Sequence, residues 1–282
     1  MKKFVSLLLA VLMVASLAAC GQKDEPTTSP DASPEAKDYA SMTLDELKAE
    51  LKTVTEGKLT MSTNAQFPPY EMVADDGKGY ENTGFEGIDI EIAYALAQKL
   101  GLELAVDDME FEAALAAAQT GKSDIVAAGV TIDEDRLLTL DFTDTYANGV
   151  QVVIVPEGSD IKSKDDLEGK KIGTQRGTTG YIYCTDDYGE DNVVGFDDGA
   201  TAVQNLMQGK VDCVVIDNAP AKEYVKANAG LTILDTEYAN EDYAIGLAKG
   251  NTVLQAALNK AMAELKADGT IQAIIDKYIP AE

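Results

Sequence analysis

The apolar and polar positions of this chain fall into three regimes. From Phe4 to Ala19 the run is apolar except for Ser6 and Ser16, behind a basic start of Met1-Lys2-Lys3. From Gly21 to about Ser41 almost nothing is apolar, and Gly, Pro, Ser, Thr, Asp, Glu and Lys follow one another. Beyond that, the pattern switches repeatedly between helical and strand periods. Thr43-Leu44-Asp45-Glu46 has capping-box form and opens a short amphipathic helix through Leu51. Residues 58–63 read as a strand. Ile88, Ile92, Ala95, Leu96 and Leu100 share one helical face, which Gly101 stops. A second helix is expected over 111–120, ended by Gly121, and a buried strand over 124–128. Strands are expected at 150–155, 171–174, 193–196 and 212–217, with helices after Thr178, over 200–208 and over 219–226. A strand over 243–248 and helices over 253–267 and 270–278, split by Asp268-Gly269, complete the pattern. Such alternation predicts an α/β fold with mostly parallel sheets.

One short motif recurs. Gly121-Lys122-Ser123-Asp124-Ile125-Val126 returns 88 residues later as Gly209-Lys210-Val211-Asp212-Cys213-Val214, each time between an amphipathic helix and an apolar strand. Common helix-to-strand chemistry would produce it, and so would two lobes built on one plan. Five residues past each aspartate stand Gly129 and Asp217, at the carboxyl ends of the corresponding strands. Open α/β sheets bind ligands at such ends. Two of them facing one another would form a cleft.

The first regime, closing in Leu17-Ala18-Ala19-Cys20, has the order of a secretory signal and is too short and wrongly flanked for a spanning helix. Its ending resembles the lipobox of bacterial lipoproteins. That resemblance implies lipidation of Cys20 and an extracytoplasmic protein anchored by lipid to the bacterial cell membrane. No core can form from residues 21–41, which are expected to be a disordered tether with a coil span of roughly 25 Å. Roughly 240 residues remain, enough for one large or two modest domains.

Charge narrows the partners. Without Lys2 and Lys3 the basic residues fall to 21 against 49 acidic ones, a net charge of −28. Such a chain repels nucleic acid and anionic headgroups, so no nucleic acid partner is expected. There is no histidine and no tryptophan. The commonest general base and the commonest zinc ligand are therefore missing, which weighs against hydrolytic or zinc chemistry. No catalytic residue, metal or cofactor is assigned. Beyond Cys20 the cysteines are Cys184 and Cys213; a disulfide is permitted outside the cell, and two buried free thiols are equally compatible.

Several residues could build a site. In Asn64-Ala65-Gln66-Phe67-Pro68-Pro69-Tyr70-Glu71 the prolines are expected to fix an extended loop that projects Phe67 and Tyr70, as ligand contacts or as loop anchors. Arg136, among the acids Asp133, Glu134 and Asp135, fits a surface ion pair; beside the exposed backbone of Ala128-Gly129-Val130-Thr131 it also suits a carboxylate held by two hydrogen bonds. Gly173-Thr174-Gln175-Arg176-Gly177-Thr178-Thr179-Gly180 lacks the lysine and spacing of a phosphate loop and is more plainly a helix cap, whose free N–H groups would welcome a small anion. Asp217 ends an apolar strand, where a carboxylate needs a partner. A cationic ligand group or a nearby helix N-terminus would serve.

Taken together, Phe67-Pro-Pro-Tyr-Glu71, Gly87-Ile-Asp89-Ile, Phe111 before a helix, Gly121-Lys-Ser-Asp124, Ala128-Gly-Val-Thr-Ile-Asp-Glu-Asp-Arg136, Asp141-Phe-Thr-Asp144, Leu167-Glu-Gly-Lys-Lys-Ile-Gly173, Gly177-Thr-Thr-Gly180, Val215-Ile-Asp217 and Ala263-Glu-Leu-Lys-Ala-Asp-Gly-Thr270 resemble the polar amino acid solute-binding proteins of ABC importers. The resemblance spans about residues 45–280. It implies a two-lobed periplasmic-binding-protein-like fold of type II, with lobe one from 42–148 and 245–282 and lobe two from 149–244. Two hinge-strand crossings would lie near 148–152 and 242–245. It further implies a monomer that binds a free amino acid and delivers it to a membrane permease. Phe67 and Phe111 would sandwich the ligand side chain. Arg136 would grip the α-carboxylate with the N–H groups of Thr131 and Thr179. Asp217, the Gly129 carbonyl and the Thr131 hydroxyl would hold the α-ammonium, with Ala128, Gln175 and Thr178 lining the rest. Asn64 stands where members that take basic side chains commonly carry Asp. With Gln175 it favours a neutral polar side chain, although Glu71 or Glu110 could supply a charge for a basic one. An exported dehydratase of the cyclohexadienyl or arogenate type on the same fold, and a sensory or adhesive lipoprotein, are the competing readings.

Overall fold

The computed structural model describes residues 37–235 and 237–280; the expected signal segment, Cys20 and most of the tether lie outside them. Among the described residues no helix is long and apolar enough to cross a membrane.

The amphipathic stripes settle on two sheets. In chain order the first elements are α1 (Leu44–Glu50), β1 (Lys58–Thr63), β2 (Gln66–Phe67), β3 (Glu71–Val73), β4 (Phe85–Glu86), α2 (Ile88–Leu100), β5 (Glu103–Asp108) and α3 (Phe111–Gln119). β6 (Ile125–Val126), α4 (Glu134–Thr139), β7 (Leu140–Phe142) and the long β8 (Ala147–Pro156) follow. Then come β9 (Ile172–Gln175), α5 (Thr179–Tyr188), β10 (Val193–Phe196), α6 (Gly199–Met207), β11 (Cys213–Asp217), α7 (Asn218–Ala227), β12 (Leu231–Ile233) and β13 (Ala239–Tyr243). The chain closes through β14 (Gly246–Ala248), α8 (Thr252–Ala267) and α9 (Thr270–Tyr278). Thr43 caps α1 in the capping box that its spacing predicts. The expected tether reaches too far: Tyr39–Ser41 form a short 3-10 turn, and Tyr39 packs on the first core.

The first sheet has the order β5-β1-β6-β14-β7 and the second β10-β9-β11-β8-β12, with β13 also paired to β8. β1 runs parallel to β5 and β6, and β9 parallel to β10 and β11. β14 is antiparallel to β6 and β7, and β8 is antiparallel to β11, β12 and β13. Each of these two sheets is therefore mixed rather than mostly parallel, because a chain that leaves one for the other and comes back must return antiparallel, and β2, β3 and β4 form a small antiparallel sheet beside them. β8 is the outward crossing. Its first half pairs with β13, from Ala147 opposite Tyr243 to Gln151 opposite Ala239. Ala244 and Ile245 then carry the chain back into the first sheet. The single strand expected over 243–248 is thus divided between two sheets.

The repeated motif does the same work twice. Asp124 N–H donates to the Thr60 carbonyl at 3.0 Å while its carboxylate accepts Thr60 N–H at 2.8 Å. Asp212 N–H donates to the Lys171 carbonyl at 2.7 Å while its carboxylate accepts Lys171 N–H at 2.8 Å. Gly121 and Gly209 end the preceding helices at φ 68° and 67°, in the left-handed region that glycine adopts without strain. Each aspartate clamps the neighbouring parallel strand in register, and the strands' carboxyl ends then project alike.

The first sheet's core holds Leu59, Ile88, Leu96, Leu258 and Met262, all fully buried. Burying such a side chain contributes about 1.5–3 kcal/mol. In the second sheet Ile154, Val214 and Leu206 pack on one face, and Val153, Ile172 and Leu167 on the other. Cys184 and Cys213 are buried free thiols in that last cluster, and burial pushes both up to about 12.

Candidate functional site

The loop after β1, the turn after β6, the start of α4, the N-terminus of α5 and the end of β11 converge on one cleft between the sheets. It encloses about 460 Å³, counting the part open to solvent, and all the residues expected to hold a ligand line it: Asn64, Phe67, Phe111, Ala128, Gly129, Thr131, Arg136, Gln175, Thr178, Thr179 and Asp217. Glu71, Gln151, Val215, Ile216 and Tyr243 line it too. Sequence reasoning named Glu71 only as an optional charge and passed over the other four. Gln151 and Tyr243 belong to the two crossing strands, whose apolar alternation hides which positions turn inward. Glu110, the other optional charge, is exposed and lies outside the cleft, in a rim with Glu112, Arg176 and Asp197.

Arg136 is 8% exposed, which rules out the surface ion pair. Asp133 caps α4 by accepting Arg136 N–H at 2.8 Å and pairs with its Nε at 3.1 Å. Nη1 donates to the Thr131 carbonyl at 2.8 Å and Nη2 to the Gly177 carbonyl, in the other lobe, at 3.2 Å. A guanidinium has five donors. One N–H on each terminal nitrogen is left, the pair that matches the two oxygens of a carboxylate. Burial lowers the arginine's pKa, opposed by Asp133 and Glu241. Its charge also lies over the Phe111 ring, 5.5 Å from the centroid.

Asp217 faces it from the second sheet, 2% exposed. Its Oδ2 accepts Val150 N–H at 2.9 Å and the Tyr243 hydroxyl at 3.0 Å, both from crossing strands, and its Oδ1 accepts Ala219 N–H at 2.9 Å at the start of α7. The helix N-terminus is thus one partner of this carboxylate, and both hinge strands supply others. Burial pushes it up to about 6, although those three donors oppose the rise. Gly149 has no room for a side chain here: a Cβ would stand 2.5 Å from the Tyr243 hydroxyl and 2.8 Å from Asp217 Oδ2.

Gly129 turns at φ 54°, and a Cβ would meet Phe67 at 2.8 Å and Tyr243 at 3.3 Å. Its N–H donates to Asp89 Oδ2 at 2.8 Å. The two aromatics of the first loop divide their roles. Phe67 lines the cleft, whereas Tyr70 is buried and anchors the loop, stacked on Phe67 at 5.6 Å and edge-on to Tyr243 at 5.3 Å. Pro68-Pro69 is a cis peptide in a turn, not the extended run expected. Thr178 caps α5 by accepting Tyr181 N–H at 3.3 Å, which aims the first turn of the helix at the cleft.

Among the described residues, three hydrogen bonds join the walls directly. Besides Arg136 to Gly177, Gln175 Nε2 donates to Asn64 Oδ1 at 2.8 Å, and the Tyr224 hydroxyl donates to the Gln66 carbonyl at 2.9 Å. Asn64 Nδ2 is also spoken for, donating to the Met109 carbonyl at 3.0 Å.

Known proteins resemble this chain over most of its length. A family model described as bacterial extracellular solute-binding proteins, family 3, matches residues 59–281. The chain is 33% identical over 235 residues to the L-cystine-binding protein TcyJ of Escherichia coli, covering 82% of this chain and 86% of that one. An ancestral arginine-binding protein solved with arginine is 41% identical with a TM-score of 0.72, covering 79% of this chain and 99% of that one. An ancestral arginine-binding protein solved with glutamine is 39% identical with a TM-score of 0.74, covering 80% and 100%.

Proposed function

Because the chain belongs to family 3 of the bacterial extracellular solute-binding proteins, we propose that it captures one free polar amino acid between two lobes for an ABC importer. Its output is binding, not turnover. One observation carries the reading: Arg136, on α4, and Asp217, at the end of β11, opposite in charge, line the same cleft. A zwitterion needs one clamp of each sign. The α-carboxylate takes the free N–H of each terminal nitrogen of Arg136, with the N–H groups of Thr131 and Thr179. The α-ammonium takes Asp217, the Gly129 carbonyl and the Thr131 hydroxyl. Phe67 and Phe111 cover the side chain, and Ala128, Gln175 and Thr178 complete the wall. Lobe one comprises 42–148 and 245–282, and lobe two 149–244. Only their closure brings both ends of the ligand into contact, so binding selects the closed arrangement.

The side chain is neutral and polar. Asn64 and Gln175, bonded to each other, offer amides rather than a desolvated carboxylate at that end. A basic amino acid is the second reading, favoured by Glu110 and Glu112 in the rim, where Arg176 is already paired with Asp197. The test is a thermal-shift screen of the ligand-stripped protein against the twenty amino acids, cystine and ornithine. An amino acid at 100 times its dissociation constant adds about 2.7 kcal/mol of stability. No shift with any of them rejects the reading. We propose further that the protein acts as a lipid-anchored monomer: Cys20→Ser should abolish incorporation of radiolabelled palmitate in cells, and the purified domain should elute at monomer size; label retained by the variant, or elution at dimer size, would overturn this.

A further inference from the structure

Beneath the Gly129 turn lies a second pair of acids that the clamps do not use. Glu71, from β3, and Asp89, in the first turn of α2, are both buried, and Glu71 reaches the cleft. The two carboxyls act directly on each other, near enough to share a hydrogen bond once either carries a proton. Taken as two carboxylates, they leave both oxygens of Glu71 and Oδ1 of Asp89 buried without a donor. Among the described residues, no cation is a leading influence on either of them. Asp108 acts on Glu71 as a further acid, Tyr70 and Tyr224 are buried neutral phenols, and the Tyr146 hydroxyl is buried beside Asp89. Two like charges in contact away from water cannot both persist.

We propose that Glu71 and Asp89 share one proton, held on Glu71, and that this carboxylic acid acts as a positioning residue: it orients the Asp89 carboxylate that grips Gly129 N–H and so fixes the cleft wall at the Ala128–Gly129 peptide. Glu71 donates, and Asp89 accepts from Glu71 on one side and from Gly129 on the other. The arrangement accounts for two of the three orphaned oxygens of the pair and gives the first lobe a neutral acid at the ligand's edge. Burial and the neighbouring acids raise Glu71 well above the ordinary carboxylate range, in agreement.

The inference rests on the amino acid reading of the cleft for its functional half only, and two measurements separate the halves. The first is the infrared difference spectrum of wild type minus Glu71→Gln at neutral pH, without any amino acid. The C=O stretch of a protonated carboxylic acid is expected in wild type and missing in the variant; its absence from wild type overturns the shared proton. The second is calorimetric titration with L-glutamine and L-arginine. Glu71→Gln, which keeps a donor toward Asp89 without a titrating proton, should bind within about threefold of wild type, and Glu71→Ala at least about tenfold more weakly, a loss of about 1.4 kcal/mol. Equal affinity of Glu71→Ala and wild type, or a loss in Glu71→Gln as large as that in Glu71→Ala, overturns the positioning role. If neither amino acid binds wild type, the titration counts against the choice of side chain, and the spectrum still decides the proton.

Discussion

Replacing Asp217 by Asn separates binding from stability. Burial raises this carboxyl from its ordinary 3.8 to about 6, roughly two units. At about 1.4 kcal/mol per unit, the folded protein carries about 3 kcal/mol of disfavour for the charge at neutral pH. The amide removes that disfavour. It also faces Ala219 N–H, or Val150 N–H and the Tyr243 hydroxyl, with a donor in place of an acceptor, a loss of about 1–2 kcal/mol. The ligand-free variant should therefore melt no lower than wild type. Binding suffers instead, since a charge-assisted bond to the ammonium falls to a neutral one, about 2–3 kcal/mol or roughly 30- to 150-fold in affinity. The pH dependence follows with its sign. The ammonium needs the ionised carboxylate, so wild-type affinity is full above pH 6 and drops about tenfold per unit below it, while the Asn variant stays flat. The ligand-free stability moves the other way. The folded state holds the proton more tightly than the unfolded chain, so stability rises as pH falls from about 6 toward 4 and then levels. Asp89, raised to about 6 by its own burial, adds to that same trend, so the comparison must be wild type against variant. Calorimetric titration with the amino acid chosen by the screen, alongside differential scanning calorimetry, reads both quantities. Unchanged affinity in the Asn variant, or a stability loss above about 2 kcal/mol, would refute the reasoning.

Other substitutions probe the remaining parts. Arg136→Ala should cost more than about 100-fold in affinity, and Arg136→Lys at least about tenfold, because a point charge cannot reproduce the fork; titration calorimetry decides. Tyr224→Phe removes a bond between the lobes without touching the cleft lining, so affinity should fall about three- to tenfold through faster dissociation, seen by stopped flow. Gly149→Ala pushes a methyl into Tyr243 and Asp217, and should abolish binding while the far-ultraviolet circular dichroism stays that of a folded protein. The double variant Cys184→Ala, Cys213→Ala should bind normally and melt several degrees lower from lost packing, and a large loss of binding would show the thiols to matter for the site.

Much of this protein is written locally. The capping box at Thr43, the stripe from Ile88 to Leu100 and the tail helix Thr270–Tyr278 follow from periodicity and caps, which depend on neighbours a few residues away. The Gly-Lys-x-Asp-x-Val echo foretold two matched strand ends, since the aspartate that clamps Thr60 or Lys171 acts just where its own strand begins. What neighbours could not tell is how residues far apart in the chain meet. The two-residue β6, the crossing that divides Tyr243 from Gly246, and the inward turn of Gln151 depend on which sheet each segment joins, an outcome settled by packing across the molecule. Asp217 called for either a cationic ligand group or a helix N-terminus; Ala219, two residues on, supplies the helix N-terminus, and folding brings Val150 and Tyr243 from the crossing strands as well. Residue type along the chain determined which groups this protein has for a zwitterion. Only the tertiary structure decided which of them lose water together, and burial is what sets their charge.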